Sequence, residues 1–294
     1  MSTFSKKIGK KFIYTTEVKP PRGTNTKPFI DEIKAIKKIK GLTSVNVIDS
    51  PSARLFMSSL GASIMLEKHG LEPIFQMVCR DRNSLALESD LISASAFGIE
   101  NILSLTGDHP QRGASDHPKT QPVFELDSTT LIKTITLMNQ GTNLMGQELD
   151  GKTNFFVGAA LSPSSTPSEP EILKTKRKMD AGARFFQTQA VFQVKTVEEF
   201  FDKSDKILGD IRPVVLAGTI PLVSEKMIAF LNRLPGIRVP EDVASRIAKS
   251  KDPVEEGISM TMDLIDGIKS QGLGGVHIMP VGRIGSLRKI MDSI

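Results

Sequence analysis

Short apolar, β-rich runs alternate with longer amphipathic stretches along the whole chain, and this rhythm constrains its fold more than any other feature. The short runs cover residues 11–18, 44–49, 73–79, 100–106, 154–161, 184–190, 212–220 and 275–280. Several are apolar almost throughout, the pattern of parallel strands buried on both faces. Helical spacing fills residues 29–39, 52–68, 84–97, 128–145, 169–181, 197–208, 224–234 and 254–271, as in Ile30, Ile33, Ile36 and Ile39. A short helix at 286–293 closes the series, and an extra one at 240–250 precedes the last long helix. Eight strands each followed by a helix predict an α/β chain folded as a (β/α)8 TIM barrel. No linker or low-complexity tract divides residues 1–294, so the prediction is a single domain. A doubly wound open sheet shares the same periodicity and remains the alternative.

In such a barrel the chemistry sits at the carboxyl ends of the strands. The run ending Ser104-Leu-Thr-Gly-Asp-His-Pro110 presents Asp108 there, although a carboxylate in that position is also a common helix cap. The segment after it, residues 107–126, carries three prolines and two histidines. Loops of this length are usually functional or mobile, and this one would lie over a site at the barrel mouth.

Composition excludes other classes. The net charge of +5 suits an anionic small molecule, but the lysines are spread over many segments. With no Trp and one Tyr, there is no stacking platform for nucleic acid. No apolar stretch approaches the roughly 20 residues that span a bilayer. The basic start of the chain lacks the apolar core of a signal peptide. Cys79 is alone, which forbids an intramolecular disulfide and suggests a reducing, cytoplasmic setting. His69, His109, His117 and His277 have no ligand spacing, so no metal site is expected. His277, inside a strand, reads as a hydrogen-bonded core histidine.

Gly146-Gln-Glu-Leu-Asp-Gly-Lys-Thr153 fits the phosphate-loop pattern letter for letter. That motif needs a strand before it and a helix after it. Here the order is reversed, and Glu148 and Asp150 would repel phosphate, so it reads as a turn.

Taken together, the strand ends carry a pattern. They are Thr16-Glu-Val-Lys-Pro-Pro-Arg22, Leu105-Thr-Gly-Asp-His-Pro110, Phe155-Phe-Val-Gly-Ala-Ala-Leu-Ser-Pro163, Lys176-Arg-Lys-Met-Asp-Ala-Gly-Ala-Arg-Phe-Phe-Gln-Thr-Gln189, Leu216-Ala-Gly-Thr-Ile-Pro221 with Gly236-Ile-Arg-Val-Pro240, and Gly275-Val-His-Ile-Met-Pro-Val-Gly-Arg283. In order and spacing this series resembles the methylenetetrahydrofolate reductase family over nearly the whole chain. Thr-Gly-Asp-His-Pro and the following Gly113-Ala-Ser-Asp-His-Pro118 resemble the acetogen-like branch more than the enteric one.

The resemblance implies a flavin-bearing barrel that reduces the methylene bridge of a tetrahydropterin to a methyl group. By resemblance Glu17 is the general acid that opens the methylene ring, a task a carboxyl performs where burial holds its proton. An ion pair with Arg22 or a nearby lysine is the plainer role for Glu17. Asp108 would steady the cation that forms on ring opening. Gln189 would contact the pterin edge, donating and accepting at once. Arg283 would lie near the substrate, on the acidic tail of a folate or on a neighbouring carboxylate. The resemblance puts the cofactor against Gln76, Thr106, Gly107, Asp108, Ala160 and Lys178. Solvent-facing or merely satisfied polar positions are the alternatives for Lys178 and Gln189.

Several positions depart from the family pattern. Many relatives have Arg at Thr106, Tyr at Ser162, and His at Gln76 and Thr166. These departures imply a flavin that is held differently, a smaller one (FMN rather than FAD), or weaker binding. No aromatic residue in 222–226 matches the one that stacks on nicotinamide, which leaves NAD(P)H, a deazaflavin or an electron-transfer subunit as donors. The substrate carrier is tetrahydrofolate or a methanopterin-type pterin. The family also implies a homo-oligomer. Two other readings stand beside this one: a pterin-binding methyltransferase barrel without redox chemistry, and a subunit that docks a redox partner.

Overall fold

The computed structural model describes residues 1–111, 115–234 and 236–294. Eight parallel strands pair in chain order and close on themselves. They are β1 (Ile13–Val18), β2 (Leu42–Val47), β3 (Pro73–Val78), β4 (Asn101–Leu105), β5 (Phe156–Leu161), β6 (Phe185–Ala190), β7 (Val215–Thr219) and β8 (Gly275–Ile278). Strand β8 pairs with β1, Thr15 opposite His277, so the sheet is a barrel and not the open alternative.

Helices α1 (Thr3–Lys7), α2 (Lys27–Lys37), α3 (Ser59–Lys68), α4 (Ser84–Ala96), α5 (Ser128–Gln140) and α6 (Glu169–Ala181) accompany the first half of the chain. Then come α7 (Val194–Leu208), α8 (Glu225–Leu231), α9 (Glu241–Lys249), α10 (Pro253–Ser270) and α11 (Ile284–Asp292). Among the described residues, no helix is long and apolar enough to cross a membrane.

Successive strand side chains point to opposite faces. Phe75, Met77, Phe186, Val276 and Ile278 point outward and share one core with Leu87, Leu131, Phe200, Ile265 and Leu287 of the helices. Their neighbours Ile13, Ile74, Leu103, Phe185 and Leu216 belong to a second cluster inside the barrel, at its amino-terminal end. Burial on both faces explains why the strands read as apolar runs. Phe4 of α1 joins the inner cluster, edge-on to Phe185 at 4.9 Å, and plugs the floor. Glu72 fixes the plug by accepting from the Thr3 and Phe4 amides at 2.7 and 2.8 Å. Gly158 is needed there, since a Cβ would stand 2.3 Å from the Phe185 ring.

Several boundaries differ from the sequence reading, three of them instructively. The helix expected from residue 52 begins at Ser59, because Ser50, Ser52 and Ala53 hold positive φ in a tight turn and Ser58 caps the helix. The helix expected to reach residue 145 stops at Gln140, where Gly141 turns left-handed. A short 3-10 turn around Pro213 precedes β7. The five-residue α1 went unforeseen, being too short to show a period.

The phosphate-loop lookalike is a turn between α5 and β5, with Lys152 exposed. In the loop after β4, Gly113 and Ala114 lie outside the described residues. Its remaining part is tied to the loops after β1 and β2. Asp116 pairs with Arg22 and accepts from the Leu55 amide at 3.0 Å, and Ser115 donates to the Ala53 carbonyl at 2.8 Å.

Candidate active site

A cleft with about 1290 Å³ of open space occupies the carboxyl end of the barrel. Strand parity decides what lines it. The inner faces that are apolar at the floor turn polar higher up: Glu17 follows Ile13 and Thr15, Gln76 follows Ile74, and Gln187 and Gln189 follow Phe185. The cleft therefore gathers Glu17, Gln76, Thr106, Gly107, Asp108, Ala160, Lys178 and Gln189 from five strands' ends and one helix. These are eight of the nine residues singled out in the sequence. Arg283 is the ninth. It sits exposed five positions beyond the end of β8, just before α11, and is not among the lining residues.

Glu17 is half-buried and does not pair with Arg22, which is engaged by Asp116. Its Oε2 lies 3.5 Å from Nε2 of His277, itself fully buried and 3.0 Å from the Thr15 hydroxyl. Register sets Asn46 of β2 beside Glu17. Asn46 is fully buried and its amide donates to Gln187 Oε1 at 2.9 Å, bridging the barrel interior.

Asp108 is exposed toward the mouth. Its backbone is fixed by Arg80, whose guanidinium is buried at 2% exposure. Arg80 donates to the carbonyls of Asp108 and Ser50 at 3.3 and 3.2 Å while Asp81 clamps it with two bonds of 2.8 and 2.6 Å. The planar fork thus joins the loops after β2, β3 and β4. Gly107 between them holds φ +93°, and a Cβ there would come within 3.1 Å of Arg80 and Val78.

Lys178 is buried rather than solvent-facing, and donates from Nζ to the Ala160 carbonyl at 2.5 Å. Burial, helped by the positive charge of Lys174, pulls its ammonium down to about 8. Gln76 is likewise buried in the cleft wall. The cleft opens directly to solvent at the barrel mouth and is walled by polar groups of five strands. Small residues at Gly107 and Ala160, amide edges at Gln76 and Gln187 and a buried cation fit a flat, polar heteroaromatic ring system.

Sequence reasoning missed Asn46, Gln187 and Arg80, and gave His277 only a core role. For Asn46 and Gln187 a signal existed: each is polar, at inward parity, inside an otherwise apolar strand. Nothing in the sequence marked Arg80.

A closed (β/α)8 barrel with a large polar cleft at the strands' carboxyl ends has the build of a barrel enzyme. A model of the methylenetetrahydrofolate reductase family matches residues 3–294, and the chain belongs to that family. A probable methylenetetrahydrofolate reductase (NADPH) of Caenorhabditis elegans is 25% identical over 97% of this chain, which spans 42% of the length of that protein. The 5,10-methylenetetrahydrofolate reductase of Escherichia coli is 23% identical over 74% of this chain and 68% of its own. In fold, the chain matches a Clostridium thermocellum protein that binds two copies of 5-methyl-5,6,7,8-tetrahydrofolic acid. The TM-score is 0.72 at 15% identity, covering 99% of this chain and 98% of the other. The family and its oxidoreductase class are those the strand-end motifs resemble.

Proposed function

We propose that this chain, acting as one flavin-binding barrel, reduces 5,10-methylene-tetrahydrofolate to the 5-methyl form. The observation that carries the reading is the convergence of Glu17, Asp108 and Gln189 from three distant stretches on one cleft. Family membership and the fold likeness to a methyl-tetrahydrofolate-binding protein support it. Bound flavin, FAD or FMN, would supply the hydride, held against Gln76, Thr106, Gly107, Ala160 and Lys178.

The chain's own residues do the rest. The methylene carbon is bonded to two nitrogens and accepts hydride only after one bond breaks. Glu17 delivers a proton to the leaving nitrogen, N10, which keeps the electron pair of the broken bond. The carbon is left as an iminium cation on N5. Asp108, a fixed anion at the mouth, stabilises that cation as it forms. Gln189 pairs with donor and acceptor atoms of the pterin edge and sets its face. The hydride completes the methyl group, and solvent at the mouth returns a proton to Glu17.

The test is a half-reaction. Protein reduced by dithionite under argon should regain its yellow colour on addition of methylene-tetrahydrofolate, with methyl-tetrahydrofolate formed in equal amount. A flavin that stays reduced with this substrate overturns the proposal. The methanopterin-type substrate, tried in the same cuvette, tells the carriers apart. Reduction by NADH, by NADPH or only by added electron-transfer protein identifies the donor. We place the protein in the cytoplasm as a homo-oligomer, to be checked by fractionation and by light scattering.

A further inference from the structure

A fully buried imidazole is costly unless both ring nitrogens are satisfied. His277 meets this with two partners on β1, the strand it pairs with: Thr15 Oγ1 at 3.0 Å from Nδ1, and Glu17 Oε2 at 3.5 Å from Nε2. Thr15 has one hydroxyl proton and two acceptors in reach, Nδ1 at 3.0 Å and the Val276 carbonyl at 3.4 Å. Placed on the shorter contact, that proton makes Nδ1 the acceptor and assigns the ring proton to Nε2, on the side of Glu17.

We propose that His277 is a positioning residue for Glu17: a neutral imidazole, its tautomer set by Thr15, whose Nε2–H donates to Oε2 and leaves Oε1 to carry the proton for the substrate. The inference rests on the reading of Glu17 as the acid. The proton passes from Oε1 to N10, and His277 keeps its own throughout. A hydrogen bond to a carboxylate is about twice as strong as one to a neutral carboxyl. The Nε2–H bond therefore tightens as the proton leaves, and favours the transition state over the ground state. Bonds of this kind are often long before substrate binds.

The other charged groups at the cleft are Asp49 after β2, Arg80 after β3, Asp108 after β4, and Lys174 and Lys178 on α6. Asp49 is paired with Arg82 and Arg80 with Asp81. That leaves His277 as the ionisable group in contact with the Glu17 carboxyl among the described residues.

The experiment follows single-turnover reduction of methylene-tetrahydrofolate across pH, beside 15N NMR of the histidine rings in the intact protein. His277→Leu should slow the step about tenfold, the cost of one charged hydrogen bond. It should also move the high-pH limb upward by about one unit, because the carboxylate loses a donor. His277→Gln keeps an N–H and should restore the limb. Thr15→Val should shift it the same way as His277→Leu. The NMR spectrum should show a neutral, Nε2-protonated ring, a result independent of how any variant folds. A cationic or Nδ1-protonated ring overturns the inference, as does a limb unmoved in His277→Leu while Glu17→Gln is inactive. Glu17→Gln at the unmodified rate would instead overturn the acid assignment itself.

Discussion

At the floor of the barrel, Ile13, Ile74, Leu103, Phe185 and Leu216 pack around the ring of Phe4. At the mouth, the inward positions of the same strands carry Glu17, Gln76, Gln187 and Gln189. One set of strands thus makes two environments a few residues apart. The floor holds the barrel together, and burying each large apolar side chain contributes about 1.5–3 kcal/mol. The mouth spends some of that stability on polar groups, such as the unpartnered Asn46 Oδ1 and the buried Lys178. The polar cleft sits where packing is given up.

If floor and mouth are separable, mutations should divide between them. Glu17→Gln at the mouth should lower methylene reduction by about 10²–10⁴-fold. Its melting should stay within about 0.5 kcal/mol of the parent, as for a substitution that leaves no cavity. Flavin reoxidation and thermal denaturation of one sample measure both. Phe185→Ala at the floor should cost about 3–5 kcal/mol in urea unfolding, with turnover per folded molecule nearly intact. A folded Phe185→Ala protein without activity would break the division.

Lys178 provides a smaller test, through pH. Its ammonium is pulled down to about 8 in the folded protein, against the ordinary lysine value of 10.5. Below about 8 both folded and unfolded chains carry the charge, and its burial penalises folding in full. Between about 8 and 10.5 the folded chain releases the proton and the unfolded chain retains it, so stability rises with pH. Lys178→Met should be more stable at neutral pH and should lose that rise, as read from urea midpoints on either side of pH 8. The smallest effect belongs to Lys152→Ala, in the turn before β5. It should alter stability by no more than about 0.5 kcal/mol and leave turnover unchanged.

Floor and mouth were also unequally legible. The barrel was readable because burial on both faces turns strands into apolar runs, and helices such as α7 and α10, 15 and 18 residues long, show their period. The mouth was readable where a motif ended a strand, as at Glu17, Asp108 and Gln189. It was hidden where a residue acts through partners distant in sequence. The fork of Arg80 onto the Ser50 and Asp108 carbonyls has no local pattern. Nor does the pairing of Thr15 with His277, which only closure of the sheet brings about. Arg283 is a different case: its motif was read as part of strand eight, whereas the strand ends at Ile278, five residues before the arginine.

The plug at Phe4 bears on traffic. With the floor packed shut, reactants reach Glu17 from the side where the loops gather, and products leave by that same doorway. If a small-molecule donor and the acceptor also share one binding place inside the cleft, they must take turns, and initial-rate plots at several fixed donor levels should run as parallel lines.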